Sequence, residues 1–224
     1  MQPTDDSKFS RLEVEFSSDG SATLYVPLLN EHYHSVHGAR NESMHVFIDA
    51  GLRQISSESI RILEVGMGTG LNVLLTATHA RGKTIEYQTI EKYPLSPEIY
   101  RQLNYFDNEE EKNLLMQIHQ SEWNKKVDLK PGFTLIKTAG SFMDAAIGKK
   151  FNLVYYDAFA PEKQPEMWEP ALFEKIYHAM ASGGILVTYC AKGHVRRLLQ
   201  SIGFRVERIA GPPFKRHMTR AFKP

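Results

Sequence analysis

The sequence predicts an α/β fold of doubly wound type, a mostly parallel sheet covered by helices on both faces. Three observations predict it. From residue 60 onward short apolar runs alternate with helix-patterned segments, the order that lays parallel strands side by side with helices across them. The first apolar run opens directly into a cluster of glycines. The chain has 224 residues, 42% hydrophobic and 24% charged, enough to bury the core of one domain.

The elements follow in order. Arg11–Phe16 and Ala22–Pro27 alternate around Ser-Asp-Gly-Ser and read as a β-hairpin. Residues 31–41 are polar and rich in histidine, and residues 42–55 space Val46, Phe47, Ala50 and Ile55 as a helix does. Strands are expected at 60–65, 84–91, 133–138, 151–157, 184–190, 204–209 and 218–222, seven in all. Helices are expected at 71–79, 96–103, 109–120, 141–147, 170–181 and 194–201. The last two strands, joined by a Gly-Pro-Pro loop, are expected to pair antiparallel. Residues 1–57 are read as an extension (hairpin, loop, helix) packed on a domain formed by residues 58–224.

Composition excludes several classes. No apolar run approaches the roughly 18 residues that span a bilayer, and the N-terminus MQPTDDSKFSRLEVEF has neither the basic start nor the apolar stretch of a signal peptide. Cys190 is the only cysteine, which rules out an intrachain disulfide or a multi-cysteine zinc site and points to a reducing cytoplasm. In its apolar run it reads as a small buried hydrophobe. The net charge of +1 hides an asymmetry. Nine of the 27 Lys and Arg but one of the 26 Asp and Glu fall in the last 33 residues, so that stretch carries about +8 and the preceding 191 residues about −7. A basic end on an acidic body suits a polyanionic partner; a solvated basic face would look the same.

The glycines decide the ligand. The first strand ends in Glu64-Val65-Gly66-Met67-Gly68-Thr69-Gly70-Leu71. A dinucleotide fingerprint starting at Gly66 needs its third glycine where Leu71 stands, so it fails. The pattern present, E-x-G-x-G-x-G, resembles the S-adenosylmethionine (SAM) loop of class I, Rossmann-like methyltransferases. Gly66, Met67, Gly68 and Gly70 would then meet SAM through the main chain, and Glu64 would supply a carboxylate near the sulfonium and amino group. Glu91 closes the second strand, 21 residues beyond Gly70, where a carboxylate can accept from both ribose hydroxyls. Asp144, after the third strand, stands where many such enzymes hold the adenine amino group.

The fourth strand leads into Asp157-Ala-Phe-Ala-Pro-Glu-Lys-Gln-Pro-Glu-Met-Trp168. This stretch closely resembles the methyltransferase domain of the MnmC family of tRNA wobble-uridine modification enzymes. The resemblance continues in Gly183-Gly184, Val195-Arg196-Arg197-Leu198-Leu199 and Lys215-Arg216-His217-Met218, and upstream in Tyr33-His-Ser35 and Glu42-Ser-Met-His-Val46-Phe47. It implies a seven-stranded class I fold and SAM-dependent methylation of the 5-aminomethyl group of (2-thio)uridine in the tRNA anticodon stem-loop. In some relatives an FAD-dependent oxidase is fused to this domain. Here the chain ends at Pro224, so a stand-alone methyltransferase without FAD is expected, functionally linked to a separate oxidase or to other wobble-uridine enzymes.

Asp157 is the expected catalytic residue. An alkylammonium has a pKa of about 10 if it resembles lysine, and a carboxylate at the methyl-transfer point can orient the amine and take its proton. Phe159, Pro161 and Trp168 are candidate contacts to a flipped-out base. Arg196, Arg197, Lys215 and Arg216 are candidate contacts to RNA, and Tyr33 and Glu42, which match the family, are candidates over the SAM cleft. Histidines 32, 34, 37 and 45 complete no recognisable ligand pattern, so no metal is expected. The alternative reading is a methyl- or aminopropyltransferase for a small-molecule amine. Aminopropyltransferases carry a second aspartate soon after the first, where this chain has Ala-Phe-Ala-Pro.

Overall fold

The computed structural model describes residues 11–213 and 215–224; residues 1–10, which open the expected extension, lie outside the described residues. The hairpin forms as β1 (Glu13–Phe16) and β2 (Ala22–Val26), and a two-residue strand β3 (Glu31–His32) makes it a small three-stranded sheet. The helical spacing after residue 42 appears as α1 (Ala39–Ser43) running into a wider π-helical segment, Met44–Asp49.

The main sheet has eight strands. They are β4 (Ser59–Val65), β5 (Thr84–Glu91), β6 (Lys126–Lys130), β7 (Phe133–Ala139), β8 (Phe151–Tyr156), β9 (Met180–Thr188), β10 (Arg205–Ala210) and β11 (His217–Phe222), in spatial order β10-β11-β9-β8-β4-β5-β7-β6. The pairs β4–β5, β5–β7, β4–β8 and β8–β9 are parallel, and β10–β11 and β11–β9 are antiparallel. The one strand beyond the expected seven, β6, is an antiparallel edge in which only Leu129 is buried. Its sequence, KVDLK, does alternate polar and apolar residues, but over five positions with only two apolar ones.

Helices α2 (Leu71–His79), α3 (Pro97–Tyr100), α4 (Glu109–Gln120), α5 (Pro170–Ala179) and α6 (Gly193–Ile202) complete the chain. Local chemistry sets their ends. The Asn108 side chain accepts from the Glu111 N–H at 2.9 Å and caps α4 above three glutamates. Pro170 opens α5 and Gly203, at φ 114°, closes α6. One core cluster joins Leu24, Phe47 and Ile48 of the N-terminal region to Ile62, Leu74, Tyr87 and Leu115. A second, containing Leu63, Val154, Phe173 and Leu199, lies under α5 and α6.

The helix expected at 141–147 is absent. The carbonyls of Phe142, Met143 and Ala145 turn instead to the Lys175 ammonium at 2.8, 2.7 and 2.8 Å, which also lies over the Phe142 ring at 5.1 Å. Three charge-assisted bonds from one lysine replace the helical ladder. Lys175→Met should therefore loosen residues 141–147 and cost about 1–3 kcal/mol. Urea unfolding should read the loss, with faster amide exchange confined to that loop and the strands around it unchanged.

Candidate functional site

The site lies where the strand order reverses, between β4 and its parallel neighbours β5 and β8. The Gly66 N–H donates to the Ile90 carbonyl at 3.0 Å, and the Asp157 N–H to the Val65 carbonyl at 3.1 Å. Three strand ends thus stand in one row, with a cavity of about 420 Å³ above them.

The glycine loop is its floor. Gly66, Gly68 and Gly70 have φ of 88°, 49° and 74°, a region that costs other residues strain. Gly66, Met67, Gly68 and Thr69 line the cavity, while Gly70 caps α2 and a Cβ there would stand 3.2 Å from His119 Nε2. Thr69 is held from two sides. His34 Nε2 pairs with its hydroxyl at 2.7 Å, and His119 Nε2–H donates to its carbonyl at 2.9 Å. Burial pushes both imidazoles down to about 4, so both are neutral at physiological pH. Neither clamp is legible in the sequence, where His34 looks like a loop histidine.

Glu91 lines the cavity with its carboxylate fixed: Oε2 accepts from the Gly68 N–H at 2.9 Å and Oε1 from the Tyr93 N–H at 2.7 Å. Burial raises its pKa, and these main-chain bonds oppose the rise. Each oxygen can accept more than one hydrogen bond. Asp144 falls elsewhere: it is exposed and does not line the cavity, where Ser141, Phe142 and Ile90 do. Lys175 pulls the segment into a turn, so no helix carries Asp144 to the adenine position.

Glu64 also lies apart from the cavity. It is fully buried beneath the loop, among Thr89, Asn72 and Tyr87, so the expected carboxylate near the sulfonium is absent from the cavity wall. Asp157 does line the cavity, and its Oδ2 accepts from Asn72 Nδ2 at 2.9 Å. Burial is the largest influence on Asp157 and raises it to about 7, with Glu42 adding to the rise and Asn72 and Lys215 opposing it.

The N-terminal segment forms the opposite wall. The Tyr33 ring meets Phe159 edge-on at 5.1 Å, and both line the cavity. Glu42 accepts from the Ser35 N–H at 3.1 Å and pairs with Lys215, whose ammonium lies 4.5 Å from the Tyr189 ring centre. Lys215, expected on the RNA surface, is thus part of the cavity, as is Tyr189, which shares in the family resemblance but was given no site role.

Trp168 is 6% exposed, donates Nε1–H to the Phe159 carbonyl at 2.7 Å and packs on Tyr156 and Phe173. It supports the Phe159 turn from behind and cannot stack on a base. Pro161, Arg196, Arg197 and Arg216 do not line the cavity. Among the described residues no group of three or more potential metal ligands gathers, and no helix is long and apolar enough to cross a membrane.

Comparison with known proteins fits this geometry. The profile of a family described as S-adenosyl-L-methionine-dependent methyltransferase matches residues 108–224. The chain is 32% identical to the tRNA 5-methylaminomethyl-2-thiouridine biosynthesis bifunctional protein MnmC of Cupriavidus necator, over 89% of this chain and 33% of that protein. It is 30% identical to the MnmC protein of Idiomarina loihiensis, over 93% of this chain and 38% of that one. The chain thus spans about a third of the length of the curated relatives it matches. Among solved structures, MNMC2 from Aquifex aeolicus superposes with a TM-score of 0.79 at 26% identity, covering 100% of this chain and 80% of that one. DesVI of Streptomyces venezuelae, at 13% identity and a TM-score of 0.50, covering 83% of this chain and 92% of that one, shares the fold alone.

The loop geometry yields a test. A Cβ on Gly68 would stand 2.9 Å from the Tyr33 ring at a φ only glycine adopts freely, a strain of about 1–3 kcal/mol at a left-handed position. Gly68→Val should lower SAM affinity by at least about tenfold, the equivalent of 1.4 kcal/mol, with the far-ultraviolet circular dichroism unchanged. Gly82→Ala, at φ 80° with open space around it, should leave SAM binding intact in the same calorimetric titration.

Proposed function

Since the chain belongs to the family of S-adenosyl-L-methionine-dependent methyltransferases, with that cofactor as its methyl donor, we propose that it methylates the exocyclic amine of 5-aminomethyl-(2-thio)uridine at the tRNA wobble position. The observation that carries this reading is the Asp157 carboxylate, which lines the cavity at the β8 strand end, beside the glycine loop. The substrate class is suggested by the relatives named for 5-methylaminomethyl-2-thiouridine biosynthesis. A tRNA substrate suits the cytoplasm.

SAM, when bound, supplies a methyl group on a sulfonium. The cavity has room and chemistry for it: the main chain of Gly66–Gly68 would hold the methionine portion, Glu91 would accept from the ribose, and Ile90 and Phe142 would offer an apolar slot to the adenine. Asp157 then faces the amine. An aminium near pKa 10 has no lone pair, and a carboxylate raised to about 7 by burial is a better proton acceptor than a surface aspartate near 4. Tyr33 and Phe159 present ring faces and edges on which a uracil can pack.

The basic end of the chain divides into two groups. Lys192 pairs with Glu162, Arg205 and Arg220 with Glu207, and Lys215 with Glu42. Lys223 gives its protons to the Tyr177 and Met180 carbonyls, both at 2.8 Å. Arg196, Arg197, Arg208 and Arg216 have no ion pair among the described residues, and all but Arg196 are exposed. These four are the proposed phosphate contacts, Arg208 standing in for Lys215.

Two outcomes test the reading. Asp157→Asn should leave SAM affinity within about threefold while turnover on tRNA carrying 5-aminomethyl-2-thiouridine falls by about 10²–10⁴. Part of that turnover should return at alkaline pH, where the amine sheds its proton unaided. The wild type should lose activity as pH falls through about 7, where Asp157 protonates. Equal turnover by the variant, or methylation of small amines in place of tRNA, would overturn the assignment. Secondly, tRNA binding should weaken with salt, with a log–log slope of about 0.7–0.9 per phosphate neutralised. Alanine at Arg196, Arg197, Arg208 and Arg216 should flatten the slope, as filter binding at three salt concentrations would read.

A further inference from the structure

Beneath the glycine loop a polar group is sealed into the core. Glu64 is 0% exposed, and the parallel register sets it beside Thr89 on β5 and Tyr155 on β8. Tyr87, two residues before Thr89, lies on the same face. Asn72, in the first turn of α2 and 3% exposed, closes the group from above. Both Glu64 carboxyl oxygens, Asn72 Oδ1, the Tyr87 hydroxyl and the Thr89 hydroxyl are buried without a hydrogen bond inside the chain. Asn72 Nδ2 alone is engaged, on Asp157 Oδ2 at 2.9 Å.

The donor count limits what this group can be. A carboxylate accepts only, and among the described residues no ion pair brings a cation to Glu64; a dry, unpaired charge is costly. Asn72 points its amide nitrogen at Asp157, and its buried Oδ1 is left in need of a donor. A protonated Glu64 has one O–H to give, and the Thr89 and Tyr87 hydroxyls can donate to its other oxygen. We propose that Glu64 is held as a neutral carboxylic acid whose O–H fixes the Asn72 amide, and that this amide orients Asp157. Glu64 and Asn72 are then positioning residues for the reacting carboxylate. The assignment rests on the role given to Asp157 under the proposed function.

The electrostatics agree. Burial, the largest influence, raises Glu64 to about 8, with Asp157 adding to the rise and the neighbouring Thr89, Asn72 and Tyr87 opposing it. Asp157 faces Glu42 and Lys215 across the cavity, and the Asn72 bond lowers its pKa. Removing the amide should thus raise the Asp157 pKa and shift the acid limb of the kcat profile upward.

The test uses the full chain, SAM, and tRNA carrying 5-aminomethyl-2-thiouridine. Asn72→Leu should lower kcat by about ten- to a hundredfold, the worth of one hydrogen bond to a charged group, and move the acid limb to higher pH, with KM for SAM little changed. Glu64→Leu should act the same way, and Glu64→Gln, which keeps a donor in place of the O–H, should recover most of that loss. Infrared difference spectra of the wild type at neutral pH should show a protonated-carboxyl stretch that Glu64→Gln removes, a readout that needs no turnover. The inference is overturned if that band is missing, if Glu64→Gln is as damaging as Glu64→Leu, or if Asn72→Leu leaves the limb in place. Asp157→Asn separates the two ideas. Full activity in that variant would sink the role of Asp157 itself, whereas its collapse beside an unmoved limb in Asn72→Leu would sink only the positioning role.

Discussion

Two main-chain hydrogen bonds, from Gly66 to Ile90 and from Asp157 to Val65, hold the ends of β5, β4 and β8 in one row, and the site depends on that row. Parallel strands deliver all their C-terminal ends to one edge of the sheet, so a glycine turn, the Glu91 carboxylate and an acid on the next strand arrive together from distant parts of the chain. The row also explains why the loop residues must be glycine. At Gly66 a Cβ would press on the Asp157 carbonyl at 3.1 Å. The turn after β4 and the turn after β8 are packed main chain to main chain, and the cavity inherits its floor from that contact.

The N-terminal region gives the row its roof. Tyr33 packs against Gly68, His34 against Thr69, and Glu42 spans from the Ser35 amide to Lys215. Lys163 ties the segment after β8 to the Leu29 and Asn30 carbonyls at 2.9 and 3.0 Å. The cavity is therefore a joint product of the sheet and the segment before it. A charge that would be isolated on either part finds its partner on the other.

Much of this was legible in the residues and some was not, for identifiable reasons. The apolar strands and the three glycines announce themselves because burial on both faces and left-handed turns leave few residue choices. Asp157 and Glu91 line the cavity as their strand-end positions suggest, because a strand end is a position that spacing can locate. β6 was missed although KVDLK alternates, because two apolar residues on a charged edge make a faint signal, and the expected helix at 141–147 was lost to a lysine 30 or so positions away, which no local pattern contains. Asp144 was misplaced with that helix. Glu64 sits in the motif but points into the core, a matter of strand register, and Trp168 looks like a stacking residue until its N–H is seen spent on the Phe159 carbonyl. The charge asymmetry counted Lys215 and Lys223 as surface, although one serves the cavity and the other two carbonyls.

Lys83, Lys137, Lys163, Lys175 and Lys223 each direct an ammonium at two or three backbone carbonyls. A clamp of this kind contains no carboxylate, so acid leaves it whole. The β10–β11 ribbon is stitched instead by Glu207, whose pKa its bond with Arg220 holds down. Stabilisation from a depressed acid is complete above its ordinary range and is lost as pH falls through the folded value. The ribbon therefore keeps this support until pH falls below the ordinary carboxylate range, and the lysine clamps, having no acid to protonate, do not respond to the same change.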